Sequence, residues 1–369
     1  MTRSLWLVIG SLQAGGAERQ IAQMANYWSA KGFDVTLATW SGAEVRDFYA
    51  LDDRVQRIHL NVEPSDRNPF GRVWFNLRRI RRLRSLLREA RPDAVLSFIA
   101  GSNVLTILAA LRLRLRVVVA ERSQPGKDVS VPGPWRLLRR FTYGWSDVVV
   151  VQTRAAAQWV ERQCGRQTTV IPNAIRNLPD PAQPREPLIV AVGRLSREKG
   201  FDLLLRAFAQ IAGDFARWRV VIIGEGPERA SLLRLRERLS LERRAEIIGQ
   251  VPDTEDWMAR AGLVVQPSRF EGFPNVVLEG MGMGAAVVSA DCDAGPAELI
   301  EDGVNGRLVP VEDVAALSAA MADLMANENL RARLGAQALK VRERFRQEKI
   351  MAKWDEALFP NVTAIVRCA

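Results

Sequence analysis

Histidine is nearly absent from this chain of 369 residues: His59 is the only one. A histidine-built metal site and a Ser–His–Asp triad both need an imidazole, so both are all but excluded. Cysteine is scarce as well. Cys164, Cys292 and Cys368 form no C-x-x-C and no metal-ligand spacing, which fits a reducing compartment and rules out a disulfide scaffold. The start, MTRSLWLVIGSLQAGG, lacks a signal-peptide cleavage pattern and reads as a first buried strand. The longest uncharged run, residues 94–111, reaches the ~18 residues of a membrane span. Ser97, Gly101, Ser102 and Asn103 interrupt it, and it divides into a strand (AVLSFI), a turn and a helix (NVLTILAAL).

Basic charge is plentiful and unevenly placed. Residues 1–175 hold 26 Lys and Arg against 14 Asp and Glu, a net +12; the remainder holds 26 against 28, a net −2. The excess of the first half points to an acidic partner, either anionic lipid or nucleic acid. Apolar residues make up 48% and charged residues 25%, as in ordinary globular proteins. The length suits two domains of ~150–200 residues.

Near-continuous apolar strands alternate with amphipathic helices in both halves, which predicts an α/β fold with parallel sheets covered on both faces. SLWLVIG, FDVTLATW, VQRIHL, AVLSFI, RVVVAE and SDVVVVQT are the strands of the first half; PLIVAVGRL, RVVIIGEG, AEIIGQV, GLVVQPS, AAVVSA and GRLVPV are those of the second. Pro172, Pro179, Pro181, Pro184 and Pro187 stiffen the segment between them, which reads as a linker because proline forbids helix and central strand. The expected domains are residues 1–172 and 186–346, with residues 347–369 as a terminal helix.

The densest chemistry lies in SRFEGFPNVVLEG. Glu271 and Glu279 stand eight residues apart, at the C-terminal end of a strand and the start of a helix. Ligands of open α/β sheets bind at that edge. The backbone N–H groups of Phe273, Asn275 and Val276 and the helix N-terminus favour a negative ligand. Arg194 and Lys199, in GRLSREKG, are placed to converge on one point across a strand–loop–helix turn, the arginine as a fork and the lysine as a point charge. Gly15 and Gly16 follow the first strand, where glycine lets backbone approach a ligand or merely makes a turn. GEGPER, from Gly224, is a phosphate-proximal turn or a tight connection. Asp291-Cys292-Asp293 spells D-x-D but reads as structural. Helix 70–90 carries Phe70, Val73, Trp74, Leu77, Ile80, Leu83 and Leu87 at helical spacing, with Arg78, Arg79, Arg81 and Arg82 among the arginines between them. Such a helix either lies on an anionic membrane or turns an arginine-rich face to water.

Glu271-x7-Glu279, Arg194-x4-Lys199 with its following glycine, the GGAE loop, GPAELI and DGVNGRLVP together resemble the retaining, GT-B-fold glycosyltransferases of family 4. The resemblance implies two facing Rossmann-like domains with a cleft between them and a terminal helix crossing back to the first. It implies a donor site of Gly15, Gly16, Arg194, Lys199, Gly224, Val251, Glu271, Gly272, Phe273, Pro274, Asn275 and Glu279. Glu271 would hold hydroxyls of the transferred sugar, Glu279 the ribose, and Arg194 and Lys199 the leaving diphosphate. Where many members carry a histidine, this chain reads Ala120-Glu121-Arg122-Ser123. Glu121 is then either the polar group beside the reacting sugar or the partner of Arg122. The ERS variant and VVQT…IPN fit a bacterial subgroup acting on polyprenyl-diphosphate-linked saccharides. The implied donor is a UDP-sugar. No cofactor and no metal are expected, and the enzyme would be a monomer, cytoplasmic and peripheral on the inner face of the inner membrane, with Trp74, Arg78, Arg79, Arg81 and Arg82 as contacts. The alternatives are a UDP-sugar 2-epimerase of the same fold and a nucleic-acid-binding protein.

Overall fold

The apolar runs become strands and the segments of helical period become helices. The computed structural model describes all residues except 1, 14, 62–68, 124–125, 127–130, 177, 182–183, 252, 294 and 361–369, so Cys368 lies outside the described residues. The chain divides into two units, Met1–Pro172 with Met351–Ala369, and Asn173–Ile350.

The first unit is built on β1 (Ser4–Ile9), β2 (Asp34–Thr39), β3 (Gln56–His59), β4 (Ala94–Phe98), β5 (Arg116–Ala120), β6 (Val148–Val151) and β7 (Thr168–Val170). They form one seven-stranded sheet in the order β3-β2-β1-β4-β5-β6-β7, and all pairs are parallel. Alternate residues of each strand face opposite sides. Trp6, Val8, Val95 and Val119 share a core with Leu83, Leu87, Val104 and Ile107 of the helices Pro69–Ala90 and Ala100–Ala110. Phe98 has the other parity, and its ring lies 6.1 Å from that of Trp354. From Met351 onward the terminal helix, Gln347–Leu358, belongs to this unit. Trp28 Nε1 donates to Asp355 at 2.7 Å, and Arg116 donates twice to the Ala357 carbonyl at 2.8 and 2.9 Å. The uncharged run 94–111 is strand and helix, as its interruptions predict, and no helix among the described residues is long and apolar enough to cross a membrane.

The second unit has β8 (Glu186–Val192), β9 (Arg219–Ile223), β10 (Ala245–Ile248), β11 (Ala261–Gln266), β12 (Ala286–Ala290) and β13 (Arg307–Val309), ordered β10-β9-β8-β11-β12-β13 and again parallel. The proline-rich segment is woven into this unit rather than left as a spacer. Ile175 and Leu178 are buried, Ile175 N–H donates to the Phe345 carbonyl at 2.8 Å, and Arg185 donates to the carbonyls of Ala259 and Ala261 at 2.9 Å each. Pro187, counted with the linker prolines but also the first residue of the expected strand PLIVAVGRL, stands inside central strand β8. It occupies the second position, where the register against β11 is irregular and a missing N–H costs least.

Both sheets reverse their winding direction beside their first strand, between β1 and β4 and between β8 and β11. Crevices at the carboxyl ends of strands at such points are where α/β folds hold ligands.

Candidate active site

At the β8/β11 switch point the loops that follow the two strands are pressed together. Gly200 has φ +67°, and a Cβ there would lie 2.1 Å from the Pro267 carbonyl oxygen. Only glycine permits that approach. Its neighbour Lys199 thereby reaches Glu271, with Nζ 2.8 Å from both carboxylate oxygens. Glu271 is buried, and its Oε1 also accepts from Gln266 Nε2 at 2.8 Å and Ser268 Oγ at 2.7 Å. Arg269 fastens the same loop. It makes two 2.9 Å bonds to Asp202, one of 2.6 Å to Glu312, and donates its backbone N–H to the Glu198 carbonyl at 2.7 Å. Burial pushes the Asp202 carboxyl up, but the bonds and charge of Arg269 outweigh it and hold Asp202 below its usual value. No motif singled out Arg269 in the sequence, since its role depends on loops from distant positions meeting.

Arg194 and Lys199 do not converge. Lys199 turns to Glu271, whereas Arg194 is 66% exposed and pairs with Glu198 at 2.6 Å. Arg194 has taken the carboxylate four residues on in its own turn, and Lys199 one that reaches it across the loops. An exposed pair such as Arg194–Glu198 is worth only about 0–1 kcal/mol and yields readily to a stronger anion.

Glu279 lies in the helix Asn275–Gly282, which starts behind Pro274, and is also buried. Arg176 donates to it through Nη2 at 3.0 Å and Nε at 3.2 Å, and through Nη1 pairs with Glu255. Burial pushes the Glu255 carboxyl up, and its hydrogen bond with Asp253 adds to this. Of the expected anion-facing N–H groups, that of Asn275 is already spent on the Phe273 carbonyl at 2.9 Å, and its side-chain oxygen accepts from Asn173 at 2.7 Å. Gly295, at φ +110°, brings the loop after β12 onto Pro274, where a Cβ would lie 2.4 Å from Pro274 Cδ. Phe273 is buried and Gly272 half-buried beside it. Gly224 and Val251 follow the carboxyl ends of β9 and β10. Among the described residues no three His, Cys, Asp or Glu side chains are grouped to hold a metal.

In the first unit, Gly15 precedes the helix Gly16–Ala30 and is tied to Tyr49, its N–H donating at 3.1 Å and its carbonyl accepting at 3.0 Å. A Cβ at Gly16 would meet no atom within 4 Å, so its backbone is open to approach. Glu121, expected beside the reacting sugar or paired with Arg122, is held by internal partners. Its carboxylate is buried, accepting from Tyr143 Oη at 2.5 Å and pairing with Arg139 at 3.2 Å, and both side chains of that pair are 1% exposed. Burial and the Glu121 charge push the Tyr143 hydroxyl well above its usual pKa, so it stays a donor. Glu121 thereby ties the end of β5 to Arg139 and Tyr143. Arg122 is likewise internal, its guanidinium 4.6 Å from the Phe98 ring and pushed down to about 9 by burial.

A cavity of about 450 Å³ opens at the β1/β4 switch point, lined among others by Trp40, Arg79, Ile99, Ser102, Leu105 and Trp135. Trp40 Nε1 donates to Ser102 at 3.0 Å. Ile99 has φ +75°, which a β-branched residue adopts only under constraint, and such strain gathers at functional sites. Arg79, expected on the membrane face, belongs here instead: its guanidinium lies 4.0 Å from the Phe75 ring and 5.5 Å from that of Trp40, and burial pushes it down to about 10. Trp40 and Trp135 were not singled out for this role, because only the fold unites the ends of β2 and β4 with two helices.

The helix Pro69–Ala90 buries only its second half. Leu83 and Leu87 are fully buried, while Val73, Trp74 and Leu77 are exposed. Arg78, Arg81 and Arg82 are exposed beside them, with Arg81 5.5 Å from the Trp74 ring. The side chains of Phe70 and Arg72 lie outside the described residues.

Comparison with known proteins gives concordant findings. The family profile described as "Glycosyltransferase Family 4" matches residues 14–176, and that described as "Glycosyl transferases group 1" matches residues 179–341. An exopolysaccharide phosphotransferase of Streptomyces coelicolor is 37% identical over 308 residues, 81% of this chain, but the chain spans only 32% of that relative's length. The amylovoran biosynthesis glycosyltransferase AmsD of Erwinia amylovora is 26% identical over 97% of this chain and 100% of its own. A Campylobacter jejuni alpha-1,4-N-acetyl-D-galactosaminyltransferase, whose name gives a GalNAc-GalNAc-diNAcBac-PP-undecaprenol substrate, is 25% identical over 94% of this chain and 96% of its own. Among solved structures, Anabaena HepE in complex with UDP aligns with a TM-score of 0.79 at 20% identity, covering 97% of this chain and 99% of that one.

Proposed function

This chain belongs to the group 1 glycosyltransferases of family 4, and from that premise we propose that it transfers a hexose or N-acetylhexosamine from a UDP-sugar, with retention, to a hydroxyl of a polyprenyl-diphosphate-linked saccharide in bacterial surface-glycan assembly. The observation that carries this reading is the Lys199–Glu271 pair at the β8/β11 switch point, a cation and a carboxylate held together by loops that only Gly200 lets touch. The ammonium suits a diphosphate oxygen and the carboxylate suits sugar hydroxyls. Arg194 would leave Glu198 for the same diphosphate, and Glu279, oriented by Arg176, would accept from the ribose hydroxyls. Gly224, Val251, Gly272, Phe273, Pro274 and Asn275 would supply close backbone around the donor. HepE, solved with UDP, supports the nucleotide, and the undecaprenol named for the Campylobacter relative supports the acceptor.

In the reaction the bond from the anomeric carbon to the β-phosphate oxygen breaks and one to the acceptor oxygen forms on the same face. The departing phosphate takes the acceptor proton, so no histidine base is required. Lys199 and Arg194 stabilise the charge that develops on the leaving group. The cavity of the first unit suits the acceptor, with Trp40 and Trp135 as surfaces for a sugar ring and Arg79 for a phosphate. The enzyme would work as a monomer on the cytoplasmic face of the inner membrane. Val73, Trp74 and Leu77 would enter the lipid interface, and Arg78, Arg81 and Arg82 would each contribute ~1 kcal/mol against anionic headgroups.

The test is a radiolabelled transfer assay with bacterial membrane lipid extract and a panel of UDP-sugars, with Glu271→Ala as control. Label entering the lipid fraction from one donor, and lost in the variant, supports the reading. No transfer, together with no UDP binding by calorimetry, would overturn it. Conversion of a UDP-sugar without any acceptor would favour the 2-epimerase instead.

A further inference from the structure

The helix Gly133–Thr142, GPWRLLRRFT, turns one of its three arginines, Arg139, inward and leaves leucines and a phenylalanine outward. Arg139 is 0% exposed and held by Glu121, whereas Leu137, Phe141 and Trp145 just beyond the helix are 59, 62 and 55% exposed and Leu138 is exposed as well. At helical spacing Leu137, Leu138 and Phe141 fall within one arc of roughly 100°, and Arg139 lies across from them. Arg136 and Arg140 are exposed along one edge of that arc. Against water alone this is the wrong way round, since a buried guanidinium must be compensated for lost hydration while exposed Leu and Phe forgo burial. Four large apolar side chains gathered on one surface mark an interaction site.

We infer that this face, Leu137, Leu138, Phe141 and Trp145, is a second membrane anchor that enters the acyl edge of an anionic bilayer while Arg136 and Arg140 stay among the phosphates. The inference rests on the lipid-linked acceptor of the proposed function only in placing the protein at a membrane. Charge decides for lipid over a second copy of the chain: a two-fold contact would set Arg136 and Arg140 against their own equivalents, within a half of net charge +12. The Arg139–Glu121–Tyr143 bonds pin the helix so that its apolar face cannot roll inward. This helix and Pro69–Ala90 both pack against Ala100–Ala110, and each contributes one wall of the 450 Å³ cavity, Trp135 from one and Arg79 from the other. Docking through both helices would hold the cavity at the bilayer surface, where a polyprenyl-borne sugar arrives.

The experiment is vesicle flotation of the full chain with phosphatidylethanolamine–phosphatidylglycerol vesicles and with pure phosphatidylcholine. Leu137→Ser/Phe141→Ser should lower partitioning into both by about tenfold or more, as loss of several inserted carbons requires. Arg136→Gln/Arg140→Gln should weaken binding to the anionic vesicles alone. Melting temperature and UDP affinity should stay at wild-type values in both variants, because neither touches the core or the donor site. Wild-type flotation of the Leu137/Phe141 variant would overturn the anchor, as would a wild-type dimer in gel filtration that this variant dissolves. UDP calorimetry on the same samples separates the two readings: no UDP binding overturns the transferase and leaves the flotation result standing.

Discussion

Glu271→Gln and Lys199→Met should move UDP affinity in opposite directions. Lys199 Nζ stands 2.8 Å from both oxygens of Glu271, with side-chain exposures of 20% and 7%. The pair lies between the exposed limit of about 0–1 kcal/mol and the 3–5 kcal/mol seen when a fully buried pair is broken, so we take about 1–2 kcal/mol. A diphosphate that recruits Lys199 must compete with Glu271 and tolerate its negative charge. Glutamine keeps the shape and an acceptor oxygen for Ser268 and Gln266 but removes that competition. UDP should therefore bind about 5–30-fold more tightly to Glu271→Gln, at 1.4 kcal/mol per decade. Lys199→Met deletes one charged hydrogen bond to phosphate, about 1.5–3 kcal/mol, and should weaken UDP about 10–100-fold. Sugar transfer should fall by about 10²–10³ in both, because each removes a charged contact made in the transition state. Calorimetry with UDP and initial rates of transfer read the two effects, with thermal melts confirming the fold. Equal weakening of UDP by both variants would refute the competition, and wild-type transfer by Glu271→Gln would remove Glu271 from the active site.

Three further outcomes are expected. Gly200→Ala should cost about 2–4 kcal/mol in thermal denaturation and depress transfer with it, since its Cβ would meet the Pro267 carbonyl at 2.1 Å and φ is +67°. Glu121→Gln should lower the melting temperature while kcat/KM, measured well below the transition, stays within about threefold of wild type; a fall of kcat by two orders of magnitude would instead give Glu121 a catalytic role. Burial raises the Glu18 carboxyl above its usual value, so its stabilising contribution is complete below the unfolded pKa of ~4.3 and is lost as pH rises through the higher folded value. Glu18→Gln should accordingly raise the melting temperature near neutral pH and leave it unchanged below about pH 4, and the opposite pH trend would refute the burial argument.

What could be read from the residues was whatever repeats or sits close in sequence. Near-continuous Val, Ile and Leu runs foretold the parallel strands because a strand buried on both faces has no polar side to show. The helix after FEGFP and the strand before it were legible for the same reason, and so was the α/β class. At Pro187 the linker reading misled while the strand reading PLIVAVGRL held, since proline is tolerated near a strand's start. The segment after Pro172 misled similarly: composition marks stiffness, yet Ile175 and Leu178 are apolar enough to be drawn into a core.

Partners, by contrast, were poorly legible, because pairing is decided by which loops the topology brings together. Arg194 and Lys199 share one motif yet separate, since Gly200 draws only Lys199 across to the β11 loop. Glu121 sits next to Arg122 but takes Arg139, eighteen residues on, because that arginine's helix packs over the end of β5. The helix Gly133–Thr142 carries the lesson furthest. Arg136, Arg139 and Arg140 are one residue type in one short segment, and counting charge treats them alike. One of the three is a core residue paired with a buried carboxylate, and the other two border an exposed apolar face. Sequence alone does not say which face of this helix is inward, because that depends on a single glutamate at the end of a neighbouring strand. A carboxylate buried at the end of β5 selects an arginine as its neighbour, and the leucines and the phenylalanine are left outside as a consequence.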